Sequence, residues 1–247
     1  MKILLVNPNM TQAMTDRLAA VARRVAAPGT EIVPLTATHG FPYISSRSEA
    51  QIAGAVALEM IAGNLEGADA VVIAAFGDPG LKAARELFDL PVTGMAEAAM
   101  MAALPLGERF SIVTFTPLMS SWFLDSVEAL GLGPRFAGLR TPAAAEGPVA
   151  DVAATMRETL VDLALAAARE DRADVVIFGG APLAGMAFEM GADFPCVAVD
   201  PIAAAVMQAE MLVRLAPGGA CRGGLARPPG KASVGLSPAL ARHMGGG

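Results

Sequence analysis

The feature that most restricts what this chain can fold into is that it repeats itself. Ala68-Asp69-Ala70-Val71-Val72-Ile73-Ala74-Ala75 aligns with Ala173-Asp174-Val175-Val176-Ile177-Phe178-Gly179-Gly180, an offset of 105 residues. Leu90-Pro91-Val92 returns as Phe194-Pro195-Cys196, each time ahead of an Ala/Met-rich stretch, and Lys2–Asn9 resembles Arg109–Pro117. Solenoid repeats run to about 50 residues at most, so this period means two similar lobes rather than an array. Ile3–Val6, Ile32–Leu35, Val71–Ala75, Val92–Gly94, Ser111–Thr114, Val175–Phe178 and Val197–Val199 read as strands. Their nearly unbroken apolar character suits parallel strands covered on both faces. Between them the pattern predicts helices at about Thr11–Ala26, Ser48–Leu65, Pro79–Phe88, Ala96–Ala103, Pro117–Leu130, Val149–Glu170 and Ile202–Leu215. Ser48-x-x-Gln51 reads as a capping box. The βαβ order gives an α/β fold with two parallel sheets. The lobes are expected to comprise residues 1–95 plus about 205–247, and 96–204, with the active site at their interface. Residues 216–235 carry no periodicity and read as a loose connector, with Pro238–Met244 as a last docked helical turn.

Composition excludes several functions. Of 247 residues 54% are hydrophobic, enough for a sizeable core and too many for a disordered chain. Apolar runs such as Ala70–Gly77 fall far short of the roughly 20 residues a spanning helix needs. Only four apolar residues, Ile3–Val6, follow Lys2 before Asn7, so no signal peptide is expected and the cytoplasm is the expected location. Net charge is −6 with no basic cluster and only 5% aromatic residues, which argues against nucleic-acid partners. Cys196 and Cys221 form no CxxC pair, and His39 and His243 are the only imidazoles, so neither a structural metal nor a disulfide framework is expected.

In open α/β sheets, ligands bind beyond the carboxyl ends of the strands, where helix N-termini present free N–H groups. Asn7-Pro8-Asn9-Met10-Thr11, Phe76-Gly77-Asp78-Pro79-Gly80, Phe115-Thr116-Pro117, Gly179-Gly180-Ala181-Pro182 and Asp200-Pro201 mark those ends. Each is also an ordinary strand-to-helix turn; what favours a site is that the duplication brings several of them to one cleft. Within them, Asn7, Thr11, Ala75, Phe76, Gly77, Thr114, Thr116, Gly180 and Ala181 are candidate substrate-binding residues. Asp78 is a candidate acid/base group, with an N-cap as its alternative role. Tyr43, the only tyrosine, lies in the connecting segment His39–Arg47 and is a second candidate, on a loop able to cover the cleft. Glu97 and Asp200 suit helix starts, and Met95, Met100 and Met101 suit core packing.

Ile3–Thr11 (ILLVNPNMT), Ile73–Leu81 (IAAFGDPGL), Pro91–Ala98 (PVTGMAEA) and Phe178–Met186 (FGGAPLAGM) resemble the aspartate/glutamate/hydantoin racemase superfamily, in its hydantoin and allantoin racemase-like branch. The resemblance spans about residues 1–215. It implies two flavodoxin-like lobes, no cofactor, an active site at the lobe interface and a homo-oligomer. It also implies a mechanism with one cysteine from each lobe on opposite faces of an acidic C–H carbon. Those two positions are Ala75 and Gly180 here, so both proton carriers are absent. The remaining cysteines do not replace them: Cys196 sits early in a strand, away from the ligand edge, and Cys221 lies in the tail.

Two functions follow. One is a racemase- or isomerase-type enzyme, with a lyase step as the alternative reaction, that acts on a small amino-acid-derived or hydantoin-like substrate without the two-thiol mechanism. The other is a catalytically silent paralogue that binds a small anion as a sensor or partner subunit. A nucleotide-binding role finds no GxGxxG or Walker signature to rest on.

Overall fold

The computed structural model describes residues 1–144 and 148–245. In chain order the first half contains β1 (Lys2–Asn7), α1 (Gln12–Val25), β2 (Glu31–Thr36), α2 (Arg47–Asn64), β3 (Ala70–Ile73), α3 (Leu81–Leu87), β4 (Val92–Gly94) and α4 (Met95–Ala103). The second half contains β5 (Phe110–Val113), α5 (Ser120–Ala129), β6 (Phe136–Arg140), α6 (Val152–Thr155), α7 (Arg157–Arg169), β7 (Val175–Phe178), β8 (Val197–Val199), α8 (Pro201–Leu215) and α9 (Pro238–Gly245). The strands form two four-stranded sheets of order β2-β1-β3-β4 and β6-β5-β7-β8. Every pairing in both sheets is parallel. The duplication is exact in position for three strand pairs, which begin 105 residues apart (Glu31 and Phe136, Ala70 and Val175, Val92 and Val197).

The apolar runs are continuous because both strand faces are covered. Along β1, Ile3 and Leu5 belong to the large core, which extends through both lobes, while Leu4 and Val6 belong to a second core beneath α2 and α3. Successive side chains of a strand point to opposite faces, so a strand buried on both sides has no polar register to keep. After β8 the chain returns to the first sheet, where α8 packs on β3, β4, α1 and α4. Glu210 secures this return by accepting from the Ala27 N–H at 2.9 Å and the Thr30 hydroxyl at 2.6 Å.

Several sequence expectations need correction. The cap of α2 is Ser46, not Ser48: its hydroxyl accepts from the Glu49 N–H, and Glu49 reaches back to the Ser45 N–H at 2.6 Å. The helix expected over Val149–Glu170 is broken at Met156 into a 3-10 turn, α6 and α7. Strand β6 was not expected at all; its Phe-Ala-Gly-Leu-Arg sequence is mixed because it is an edge strand with only partly buried side chains. The segment after Leu215 is tied down rather than loose. Cys221 Sγ donates to the Glu86 carbonyl at 2.9 Å, Arg227 donates to the Leu87 carbonyl and to Asp89, and Leu240 of α9 is buried. No helix of the described residues is long and apolar enough to cross a membrane.

Candidate active site

The carboxyl ends of β1, β3, β5 and β7 converge on a small cavity of about 30 Å³ between the lobes. It is lined by Asn9, Met14, Tyr43, Ile44, Ala75 and Phe76 from the first half, and by Phe115, Met119, Trp122, Phe123, Val149, Gly180, Ala181 and Pro182 from the second. Ala75 and Gly180, partners in the duplication, therefore face a common hollow. Phe76 and Phe123 meet across it edge to face, with ring centroids 4.7 Å apart. The cavity has room for a water molecule or two.

The lining side chains are apolar apart from Asn9, Tyr43 and the Trp122 ring N–H, and the turns add backbone polar groups. Tyr43 is the only titratable side chain among the described residues that line it, and its hydroxyl bonds to none of them. The amide N–H groups of Ala75, Phe76, Phe115, Gly180 and Ala181 likewise find no acceptor among the described residues. Buried amides are almost always paired, so a cluster of unpaired donors at facing turns is a place for an oxygen to dock. Gly180 holds φ +126°, an angle open to glycine but hard for L side chains.

Of the residues expected to bind substrate, Ala75, Phe76, Gly180 and Ala181 line the cavity, as does Tyr43. The others stand behind it. Asn7 is fully buried and donates to Asn9 Oδ1 at 3.1 Å and to the Thr15 hydroxyl at 2.9 Å, so it positions Asn9 rather than reaching the cavity itself. Thr11 donates to the Pro42 carbonyl at 2.5 Å and the Met10 N–H to the Phe41 carbonyl at 2.9 Å; together they hold the Tyr43 segment in place. Thr116 caps a 3-10 turn by accepting from the Leu118 N–H. Thr114 is fully buried with its hydroxyl unpaired.

Asp78 does not line the cavity. It adopts φ +52°, and its carboxylate accepts from the Ala96 N–H at 2.8 Å and the Glu97 N–H at 2.7 Å. It thus caps α4, not the helix that follows it. Burial pushes its carboxyl up to about 7, against the downward pull of those two amides. Gly94 makes room for it, since a Cβ there would lie 2.3 Å from Asp78 Cγ. Glu97 forms a two-pronged ion pair with Arg85, at 2.6 and 3.0 Å. Asp200 plays the matching part at α8, accepting from the Gly185, Ile202 and Ala203 amides; burial raises its pKa against those three bonds. Gly77 and Asp78 instead border a larger cleft of about 590 Å³, bounded by α2, α3, α4 and α5.

Neither cysteine reaches the cavity. Cys196 immediately precedes β8 beside Asp174, and burial pushes its thiol up to about 11. Among the described residues no group of three or more His, Cys, Asp or Glu side chains is placed to hold a metal ion.

This architecture has known relatives. The family described as Asp/Glu/Hydantoin racemase matches residues 3–209. The chain belongs to that family. A hydantoin racemase of Paenarthrobacter aurescens is 34% identical over 217 residues, covering 87% of this chain and 92% of the relative. A hydantoin racemase of Pseudomonas sp. (strain NS671) is 36% identical, with 87% of each chain covered. Among solved structures, the allantoin racemase from Klebsiella pneumoniae superposes with a TM-score of 0.91 at 36% identity, over 97% of this chain and 98% of the other. The family places the chain with racemases of the Asp/Glu/hydantoin type, and the two parallel-sheet lobes match its structural relatives.

The lining residues that sequence reasoning missed are Asn9, Met14, Ile44, Phe115, Met119, Trp122, Phe123, Val149 and Pro182. Asn9, Phe115 and Pro182 lie in turns that the sequence marks, and Ile44 lies in the segment that carries Tyr43. The α5 residues Trp122 and Phe123 look like ordinary helix core until a second lobe faces them.

Proposed function

We propose that this chain is a cofactor-independent racemase- or isomerase-type enzyme acting on a small substrate with an acidic C–H, and that it works without a two-thiol mechanism. The observation that carries the reading is the shared cavity: the duplicated turns at Ala75–Phe76 and Gly180–Ala181 meet there with unpaired amide donors and no cysteine. Removing a proton beside a carbonyl leaves an electron pair that spreads onto the carbonyl oxygen. Fixed N–H groups aimed at that oxygen stabilise the charge without reorganising. Tyr43 would move the proton: as the phenolate, its own proton first given up to solvent, it takes the proton from the carbon, and as the phenol so formed it hands a proton back. Asp78 serves in this scheme as the anchor of the Phe76–Gly80 turn.

The lining also indicates the substrate. Among the described residues no Lys or Arg side chain lines the cavity, so a free amino-acid carboxylate would meet no counter-charge from them. A neutral cyclic ureide with an apolar substituent, a hydantoin carrying a hydrocarbon or aromatic group, matches amide donors set among Phe76, Phe115, Phe123 and Trp122. Work in the cytoplasm as a homo-oligomer belongs to the same proposal, and an exposed apolar row on α8 (Met207, Met211, Leu215) supports self-association.

The test is C–H exchange into deuterated water, followed by NMR together with optical rotation, for single enantiomers of 5-benzylhydantoin, allantoin and aspartate. Exchange with 5-benzylhydantoin, weakened at least tenfold by Tyr43→Phe, is expected. No exchange with any of the three defeats the enzyme reading. The near absence of titratable groups in the lining favours one second reading, a catalytically silent ligand-binding paralogue. Calorimetric binding of the same compounds without exchange would establish it.

A further inference from the structure

We infer that Trp122 is a movable wall, and that the larger cleft behind it is the route by which a ligand enters the inner cavity. This step rests on the cavity being the reacting site. A cavity of about 30 Å³ is far below the roughly 300–1,000 Å³ typical of ligand pockets, so a substrate enters only if a wall moves. The cleft of about 590 Å³ is of ligand size. One residue lines both spaces, and it is Trp122.

The packing of Trp122 suits a wall that swings. Its indole lies directly over Gly77, where a Cβ would sit 2.4 Å from Cε2 and Cζ2. Buried tryptophans usually find a partner for the ring N–H, yet this one donates to none of the described residues, so none of them fixes the ring by a polar bond. The fixing lies outside, one turn along α5. Arg47 forms a two-pronged pair with Asp125, at 2.5 and 2.7 Å, and its guanidinium also donates to the Ser121 carbonyl at 3.3 Å. Arg47 is the first residue of α2, directly after the segment that carries Tyr43 and Ile44 into the cavity. The pair therefore joins the two flanks of the wall. Both side chains are about half exposed, so salt screens the latch readily. Trp122 in its closed position sets which substituents the cavity admits.

Trp122 is also the only tryptophan, so intrinsic fluorescence reports this site alone. The experiment is acrylamide quenching of the full chain, which needs no substrate and so tests the wall separately from the proposed reaction. Weak quenching is expected at low salt. It should rise severalfold in 1 M NaCl, in Arg47→Ala and in Asp125→Ala, and return toward the parent value in the charge-swapped Arg47→Asp/Asp125→Arg double variant. Arg157→Ala, which breaks an exposed pair with Glu189 that touches neither space, should leave quenching unchanged. Parent-like quenching in Arg47→Ala and Asp125→Ala, with native far-ultraviolet circular dichroism, overturns the proposal. So does strong quenching of the parent at low salt.

Discussion

Asp78→Asn isolates the electrostatics of the turn that walls the cavity. In the folded chain the Asp78 carboxyl titrates near 7 because burial disfavours its charge more than two amide bonds favour it. In the unfolded chain it titrates near the ordinary aspartate value of about 3.9. Between those pH values the folded state holds a proton that the unfolded state has released, so stability falls as pH rises. The contribution is fully present below about pH 4 and lost above about pH 7. A gap of about three pH units corresponds to about 4 kcal/mol at 1.36 kcal/mol per unit. Asparagine keeps the shape and cannot titrate. It also turns an amide N–H toward a backbone N–H, leaving one donor of α4 unpaired at a cost of about 1–3 kcal/mol at any pH. Asp78→Asn should therefore be less stable than the parent by about 1–3 kcal/mol in acid. Because the parent loses about 4 kcal/mol between pH 4 and pH 8, the difference should reverse, leaving the variant the more stable protein above about pH 7. Urea unfolding of both proteins across that range measures it, and other titrating groups cancel in the difference. A deficit independent of pH would refute the reasoning, because it would mean the carboxylate stays charged throughout and its two amides outweigh burial.

Three further outcomes test the turns. Ala75→Cys should fold with a melting temperature close to the parent's, since Ala75 already carries a Cβ at the cavity edge; Gly180→Cys takes on φ +126° and a Cβ 3.2 Å from Phe115 Cε1, costing about 1–3 kcal/mol, or roughly 2–12 °C. If both thiols are tolerated, the double variant should show faster C–H exchange on 5-benzylhydantoin than the parent by NMR, and no gain would mean the cavity does not hold the acidic carbon between these positions. Asp200→Ala leaves three buried amides without their acceptor and should destabilise the chain by about 2–4 kcal/mol in urea, whereas a loss under 0.5 kcal/mol would show that water replaces the carboxylate.

What the sequence disclosed follows the range of the interactions involved. Val71-Val72-Ile73 and Val175-Val176-Ile177 declare buried strands because both of their faces are covered, and their equal spacing declares two lobes. Phe136–Arg140 declares nothing, since an edge strand needs neither face fully apolar, and Arg140 is drawn to Asp171 at 2.6 Å instead. The start of α2 reads from the sequence as a Ser48-x-x-Gln51 box, but Glu49, bonding back across the turn to Ser45, places the cap at Ser46. Asp78 illustrates the harder limit. Its partners, Ala96 and Glu97, follow a whole helix and strand later, so only the folded sheet shows that it caps α4 and not α3. The meeting of Ala75 with Gly180 was legible because duplication supplies symmetry, whereas the walls of Met119, Trp122 and Phe123 needed the lobes to be brought together.

That symmetry also limits where the chemistry can come from. The duplicated turns give each lobe the same equipment, a strand end with free amides, and amides can stabilise charge but cannot carry a proton away. With Ala75 and Gly180 at the paired positions, neither copy of the repeat brings a titratable group to the cavity. The one such group among the described residues, Tyr43, arrives on the segment between β2 and α2 and belongs to one half only. That segment is held from the β1 turn through Thr11 and Met10, and its far end is held to α5 through Arg47 and Asp125. The same short stretch thus carries both the hydroxyl proposed to handle the proton and the arginine proposed to latch the wall beside it. Loosening the Arg47–Asp125 pair to admit a ligand would release one of the two anchors of the Tyr43 segment while Thr11 and Met10 keep the other, so the proposed entry route and the proposed chemistry share a tether.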